Sequence, residues 1–512
     1  MENPFGLLDG FASLFTVSIL AYCLLGVILG TLVGVLPGLG PLAGMALLLP
    51  LTYTLEPSQA IILLCGIFYG TQYGNSISAI LLNIPGDPGA LATTIDGHQL
   101  ARNGQAGPAL AIAALASFAG GTIGTIGLMM FSEPIVSIAL QFGPTETLAL
   151  LILGLVLVSA LGVGSLFKAL CMAVFGLLLT IPGSDPVMGS SRLTAGFSEL
   201  YSGLGLVPVA MGLFAISEVL ITIQNYAKNA VIGSIGRLMP TWEDTISCLR
   251  SMLRGTFLGF FIGVLPGAGS APAAFAAYGL EKKVSRNRDK IGHGALEGVA
   301  APESANNAAA AGSLVPLLSL GIPGSVPAAI ILGALVIQGI QPGPLFISEQ
   351  PELFWTLIAS LYLANVLLVV LNIPLIGIWV RILKMPFPIL ASFILVVSVA
   401  GVFSTNNSMF DVWVMLVFGV IGWLLRLASF PLAPILLGLV LGSKMEETFR
   451  QALVISRGSW SIFLSKPITV GLFMVTVVIL GWATFSTLRR ARADKGASNA
   501  RASAPKQDDN GR

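Results

Sequence analysis

Apolar runs of about twenty residues, each closed by Gly, Pro or a short polar patch, recur along almost the whole chain. A helix of that length crosses a hydrocarbon core of ~30 Å. The first run covers 11–36 and ends at Gly34-Val35-Leu36-Pro37-Gly38-Leu39-Gly40, and a second piece, 41–54, follows at once. Residues 58–83 are interrupted by Tyr69-Gly70-Thr71-Gln72-Tyr73-Gly74-Asn75-Ser76 and end at Asn83-Ile84-Pro85-Gly86. Residues 86–107 read as a polar loop, and further spans fall at 108–131, 145–163, 166–182 and 203–222. A polar stretch at 223–252 precedes a second broken segment, 255–280, and a basic loop to Lys290. The small-residue stretch 294–324 holds Pro302-Glu303-Ser304-Ala305-Asn306-Asn307 and ends at Gly321-Ile322-Pro323-Gly324. Spans then follow at 326–340, 353–380, 386–403, 408–425, 430–443 and 467–487. The pattern predicts an all-α polytopic membrane protein with about 10–12 membrane elements.

The break near the N-terminus returns as Gly263-Val264-Leu265-Pro266-Gly267-Ala268-Gly269, 229 positions on, and Ile84-Pro85-Gly86 returns as Ile322-Pro323-Gly324, 238 positions on. Matching features in the same order indicate an internal duplication. Pro removes a backbone donor and Gly admits conformations that other residues avoid, so each Pro-Gly-x-Gly run interrupts a helix. Within a bilayer such backbone is tolerated only where protein buries it or where it lines a cavity. The expected organisation is an exposed N-terminus (1–10), a first membrane repeat (11–222), a cytoplasmic connector (223–252), a second repeat with extra spans (253–487) and a disordered cytoplasmic tail (488–512).

Charge suggests how the halves are related. Residues 1–101 hold no Lys or Arg, whereas 228–290 hold nine. Because Lys and Arg favour the cytoplasmic side, the two broken segments are expected to enter from opposite faces as re-entrant hairpins of an inverted repeat. Composition agrees with a membrane protein: 55% of the 512 residues are hydrophobic and 10% charged, against roughly 25% charged in soluble domains. Cys23, Cys65, Cys171 and Cys248 form no C-x-x-C pair and read as small buried hydrophobes. His98 and His293 have no second His or Cys beside them, so no metal site is expected. No phosphate-binding loop, nucleophile motif or nucleic-acid signature is present, and no cofactor is expected.

Where a broken helix restarts, its first N–H groups are unpaired and its dipole end is positive, which suits an anion. The two tips, with Gly38, Gly40, Gly267 and Gly269, are therefore the candidate carboxylate berth, supplemented by Thr71, Asn75, Ser76, Ser270, Ser304, Asn306 and Asn307. Lys168 and Arg426 lie far from the tips in sequence. Unwound carbonyls and Ser, Thr and Asn oxygens near the tips suit sodium. Glu303 is the candidate coupling carboxylate, and its protonation would mean proton coupling instead. A cation-coupled carboxylate permease is the leading reading, with a passive anion channel or a membrane-embedded enzyme as alternatives.

The run 34–41, the patch 69–76 leading to Asn83-Ile84-Pro85-Gly86, Thr93-Thr94-Ile95-Asp96-Gly97, the run 263–269, Pro302–Asn307 and Leu320–Gly324 together resemble the TctA family, the large membrane subunit of tripartite tricarboxylate transporters. The resemblance covers about 10–487. It implies a multi-pass protein of the bacterial inner membrane that works with a small membrane subunit and a periplasmic substrate-binding protein. It also implies symport of citrate or related carboxylates, typically with sodium. The chain departs from the family pattern at Asn75, where a second Gly is expected, and at His98-Gln99, where an aromatic is expected.

Overall fold

The computed structural model describes residues 6–161, 165–185, 189–224, 236–383 and 385–502. Its main helices are α1 (Leu7–Leu14), α2 (Val17–Val35), α3 (Pro41–Leu48), α4 (Pro57–Leu82), α5 (Leu91–Arg102), α6 (Ala106–Ala139), α7 (Pro144–Leu161), α8 (Leu166–Leu178) and α9 (Leu206–Gln224, with a π-helical turn inside it). There follow α10 (Trp242–Val264), α11 (Ser270–Val284), α12 (Glu297–Leu320), α13 (Val326–Ile337), α14 (Pro351–Asn372), α15 (Phe387–Asn406), α16 (Met409–Leu427), α17 (Ala433–Ile455) and α18 (Pro467–Ala502). Eight helices among the described residues are long and apolar enough to cross a membrane, and three shorter apolar helices accompany them. The fold is that of an all-α polytopic membrane protein.

Two helix pairs organise the molecule. Gly26 and Gly30 of α2 lie directly on the backbone of α4; a Cβ at either would come within 2.6 and 2.5 Å of the Leu63 and Ile67 carbonyl oxygens, and Gly34 meets Thr71 in the same way. Gly66, Gly70 and Gly74 return the contact from α4. In the second half Gly255, Gly259 and Gly263 of α10 lie on Ala301, Ala305 and Ala309 of α12. A small residue once per turn lets two backbones touch, which favours packing where lipid supplies no hydrophobic drive. The duplication is visible here contact by contact. Shifting the first partners by 229 positions and the second by 238 turns the contacts of Gly26, Gly30 and Gly34 into those of Gly255, Gly259 and Gly263.

Contacts in each pair advance together along both helices, so α2 runs parallel to α4 and α10 runs parallel to α12. The chain must therefore double back between them. At 36–40 it turns and Gly44 of α3 packs on Val33; at 265–269 it turns and Glu281 of α11 returns to Ser251 and Arg254. Gly38, Gly267 and Gly269 hold φ of 83°, 78° and 67°, values that only glycine adopts without strain.

Several boundaries differ from those read off the sequence. Residues 7–10 are the start of α1, and Gly10 lies against the Trp355 backbone of α14 rather than in solvent. The stretch 86–107 is largely helix, because the polar side chains of α5 find partners inside the protein. Pro134 lies within α6 instead of ending it. Helix α10 begins inside the expected connector, at a capping box in which Thr241 and Asp244 satisfy each other's backbone N–H. Helix α18 continues through the Ala- and Arg-rich run to Ala502, a composition that favours helix. Lys228 and the rest of 225–235, residues 1–5 and the last part of the tail, 503–512, lie outside the described residues.

Gly259→Ala places a methyl group on the Ala305 carbonyl, whereas Gly279→Ala on α11 meets nothing within 4 Å. Overpacking of this kind costs about 1–3 kcal/mol. The melting temperature of purified Gly259→Ala should fall clearly below that of the parent protein, and that of Gly279→Ala should match or exceed it. Equal melting of the two variants would refute the close contact.

Candidate functional site

Both breaks pack on the Ile-Pro-Gly turn of their own half. A Cβ at Gly40 would come within 2.6 Å of the Gly86 carbonyl oxygen, and the Gly269 N–H donates to the Gly324 carbonyl at 3.2 Å. The halves then cross. The Ser270 hydroxyl, first residue of α11, donates to Asp87 Oδ2 at 3.4 Å. Asp87 also accepts from the Gly89 N–H at 3.0 Å, capping the turn Pro88–Ala90. Asn306 Oδ1 of α12 faces the same glycine. The segment 86–89 is thus where the first break, the second break and α12 come together.

Beside it lies a buried carboxylate. Glu303 accepts hydrogen bonds from Ser76 (2.6 Å), Thr93 (2.6 Å) and Ser117 (3.2 Å), so it joins α4, α5 and α6 to α12. Three donors make the burial of this side chain affordable, since a carboxylate without partners costs several kcal/mol in the interior. Asp96 plays a similar part in the middle of α5. It accepts from the Tyr278 hydroxyl (2.8 Å) and from the N–H groups of Gly292, Gly294 and Ala295, and so pins the loop between α11 and α12.

The residues proposed from sequence divide into two groups. Asn75, Ser76, Ser270, Glu303, Asn306 and Asn307 gather around 86–89 and α12. Buried amide atoms of Asn75, Asn306 and Asn307, and Gln72 Oε1, have no hydrogen-bond partner. An unmet buried polar atom costs about 1–3 kcal/mol, and the amides of Asn75 and Asn306 lie beside Gly86 and Gly89. The remaining residues serve the scaffold. The Thr71 and Ser304 hydroxyls bond to carbonyls of their own helices, Phe68 and Ala301, and Gly267 packs on Val158 of α7. Gly40 lies against Gly86, and Gly269 hydrogen-bonds to Gly324.

Gly38 does not face the second break. A Cβ there would come within 2.9 Å of Glu218 Oε1, and Glu218 of α9 pairs with Arg426 of α16. Arg426, far from the tips in sequence, is therefore brought next to one of them. Sequence reading missed Asp87, Thr93, Ser117 and Glu218. Asp87 alone carried a local signal, an acidic N-cap between Gly86 and Pro88. Two cavities, of about 690 and 570 Å³, border α7 and α17, and no residue proposed from the sequence lines them. Among the described residues no three His, Cys, Asp or Glu side chains cluster as metal ligands would.

Residues 20–437 match the family described as tripartite tricarboxylate transporter TctA family. The chain belongs to the TctA family. TctA proteins are transporter components, and the matched span contains both breaks, both Ile-Pro-Gly turns and Glu303. Among its TctA relatives is the uncharacterized 52.8 kDa protein in the TAR-I ttuC' 3'region of Agrobacterium vitis, 46% identical over 486 residues, which covers 94% of this chain and 96% of that protein. The uncharacterized protein in the TAR-II ttuC' 3'region of the same organism is 47% identical over 234 residues, 46% of this chain and 97% of that protein. No solved structure is significantly similar to this TctA chain.

Asp96→Ala would leave three loop N–H groups and a tyrosine hydroxyl without their acceptor. Local opening of the exposed loop with Arg286, Arg288 and Lys290 should then let trypsin cut it about tenfold faster or more. An unchanged cleavage rate there would contradict the anchoring role.

Proposed function

We propose that this TctA chain is the permease subunit of a binding-protein-dependent, cation-coupled importer of tricarboxylates or related carboxylates in a bacterial inner membrane. Its partners in this reading are a small membrane subunit and a periplasmic binding protein, with its C-terminus in the cytoplasm. The observation that carries the reading is the junction of both breaks and α12 at 86–89, lined with polar atoms that the protein leaves unpaired.

The contacts also favour an inverted repeat. Ser76 of α4 meets Glu303 of α12, while Ile80 lies in one cluster with Val299. Moving forward along α4 thus corresponds to moving backward along α12, the relation expected of two hairpins that enter from opposite faces. A shared site at the crossing point can then be exposed to each side in turn.

Roles divide by chemistry. The positive end of α11 is already faced by Asp87, so a substrate carboxylate is read as bound by the unpaired amide donors of Asn75 and Asn306 and by groups beside them. Each negative charge carried inward costs about 2.3 kcal/mol per 100 mV, a cost that co-transported cations offset. Proton coupling is the second reading, and the burial of Glu303 among three hydroxyls is what favours it.

Vesicles reconstituted with all three components and radiolabelled citrate test this function. Uptake should stop when both the sodium and the proton gradients are collapsed. Asn75→Ala and Asn306→Ala should each lower the initial rate about tenfold or more at normal protein levels, the effect of losing one buried hydrogen bond to a charged group. Gradient-independent uptake, or full activity in both variants, would contradict the proposal.

A further inference from the structure

The cavity of about 690 Å³ lies among α7, α8, α17 and α18. Leu148 and Ile152 of α7, Met445 and Phe449 of α17 and Phe473 of α18 line it, and Phe449 stacks on Phe463 at 5.8 Å. Among the described residues, its polar and charged lining is confined to Thr180, Arg192 and Glu446. The same three line the neighbouring cavity of about 570 Å³, so the two chambers meet there. Arg192 Nη1 donates to Glu446 Oε1 at 2.8 Å at this meeting point. The second chamber is of mixed character. Among the described residues, two cations, Arg192 and Lys444, and two carboxylates, Glu446 and Glu447, line it.

We infer that a bilayer phospholipid binds across this pair, with an acyl chain in the apolar chamber and a zwitterionic headgroup in the charged one. An apolar cavity takes hydrocarbon in preference to water, because water there finds no polar partners. Hydrocarbon is at hand: Pro467–Phe485 of α18 is only 17% buried in the protein, so the helix that closes one side of the cavity faces lipid. The charges select the headgroup. A phosphate pairs with Arg192 or Lys444, and an ammonium with Glu446 or Glu447. A headgroup that is only anionic would meet both carboxylates without a cation of its own. Lys444 and Glu447 pair at 3.0 Å with both side chains about half exposed. Such a pair contributes little, so its members can exchange partners with a headgroup at low cost. Helix α18 otherwise rests mainly on α7. A lodged chain packs it against α17 as well.

Native mass spectrometry of the purified full-length protein in mild detergent, with phosphatidylethanolamine or phosphatidylglycerol added, tests the site. The parent should retain phosphatidylethanolamine and bind it about threefold more tightly than phosphatidylglycerol, or better. Ile152→Trp fills the apolar chamber and should weaken phosphatidylethanolamine binding about tenfold or more. Leu148→Phe fills less of the same chamber and should weaken it in the same direction, so the result does not hang on one variant folding. Glu447→Gln removes a partner of the ammonium and should narrow or reverse the preference. Val396→Trp, on the exposed side of α15, should bind as the parent does. Equal binding of the two lipids by the parent overturns the proposal. So does parent-like binding in both filling variants, or an equal loss in Val396→Trp, which would mean lipid held over the whole outer surface.

Discussion

Everything in this structure follows from two backbones being able to touch. Glycine at every fourth position of α2 and α10 removes the side chains that would hold them away from α4 and α12. That contact sets where along α4 and α12 each broken helix ends, and with it the position of the bare helix ends. In hydrocarbon such ends need protein around them. The closeness of the pairs supplies that cover, and each turn then rests on an Ile-Pro-Gly segment of its own half.

The two copies have since diverged at the junction. In one, the residue after Ile-Pro-Gly is Asp87, and the facing half offers Ser270 and Asn306; in the other it is Ser325, which pairs with Ser313 of its own half. A symmetric frame thus carries an asymmetric polar site. Buried carboxylates near it are each tied down by named donors, Glu303 by hydroxyls of three helices and Asp96 by a run of N–H groups. Such satisfied networks rigidify the scaffold around the junction, while the amides of Asn75 and Asn306 stay unpaired beside it.

The fold was legible in the chain to the extent that its signals were local. Pro-Gly-x-Gly and Ile-Pro-Gly run in the same order in both halves, and the apolar runs mark most of the helices, although α6, α17 and α18 continue well past them. What escaped was set by distant contacts. Polar α5 reads as a loop because nothing in 86–107 announces that Tyr278, Glu303 and the 292–295 backbone will satisfy it. Glu218 and Arg426 are 208 positions apart, and their pairing beside Gly38 has no sequence signature. Asn75, Ser270 and Asn306 stood out in the sequence as polar groups within apolar stretches, and the structure places all three around 86–89. Asp87, the one charge among them, was passed over as a loop residue.

The central claim is that the two hairpins enter the junction from opposite faces of the membrane. Sided cysteine labelling in intact cells tests it most directly, with Cys introduced at Glu56, where the first hairpin ends, and at Arg288, in the loop that closes the second. The four native cysteines can be replaced first; three are buried and Cys171 is partly so. A membrane-impermeant thiol reagent should label position 56 from outside and reach position 288 only after the membrane is opened. Labelling of both positions from the same side would contradict the account.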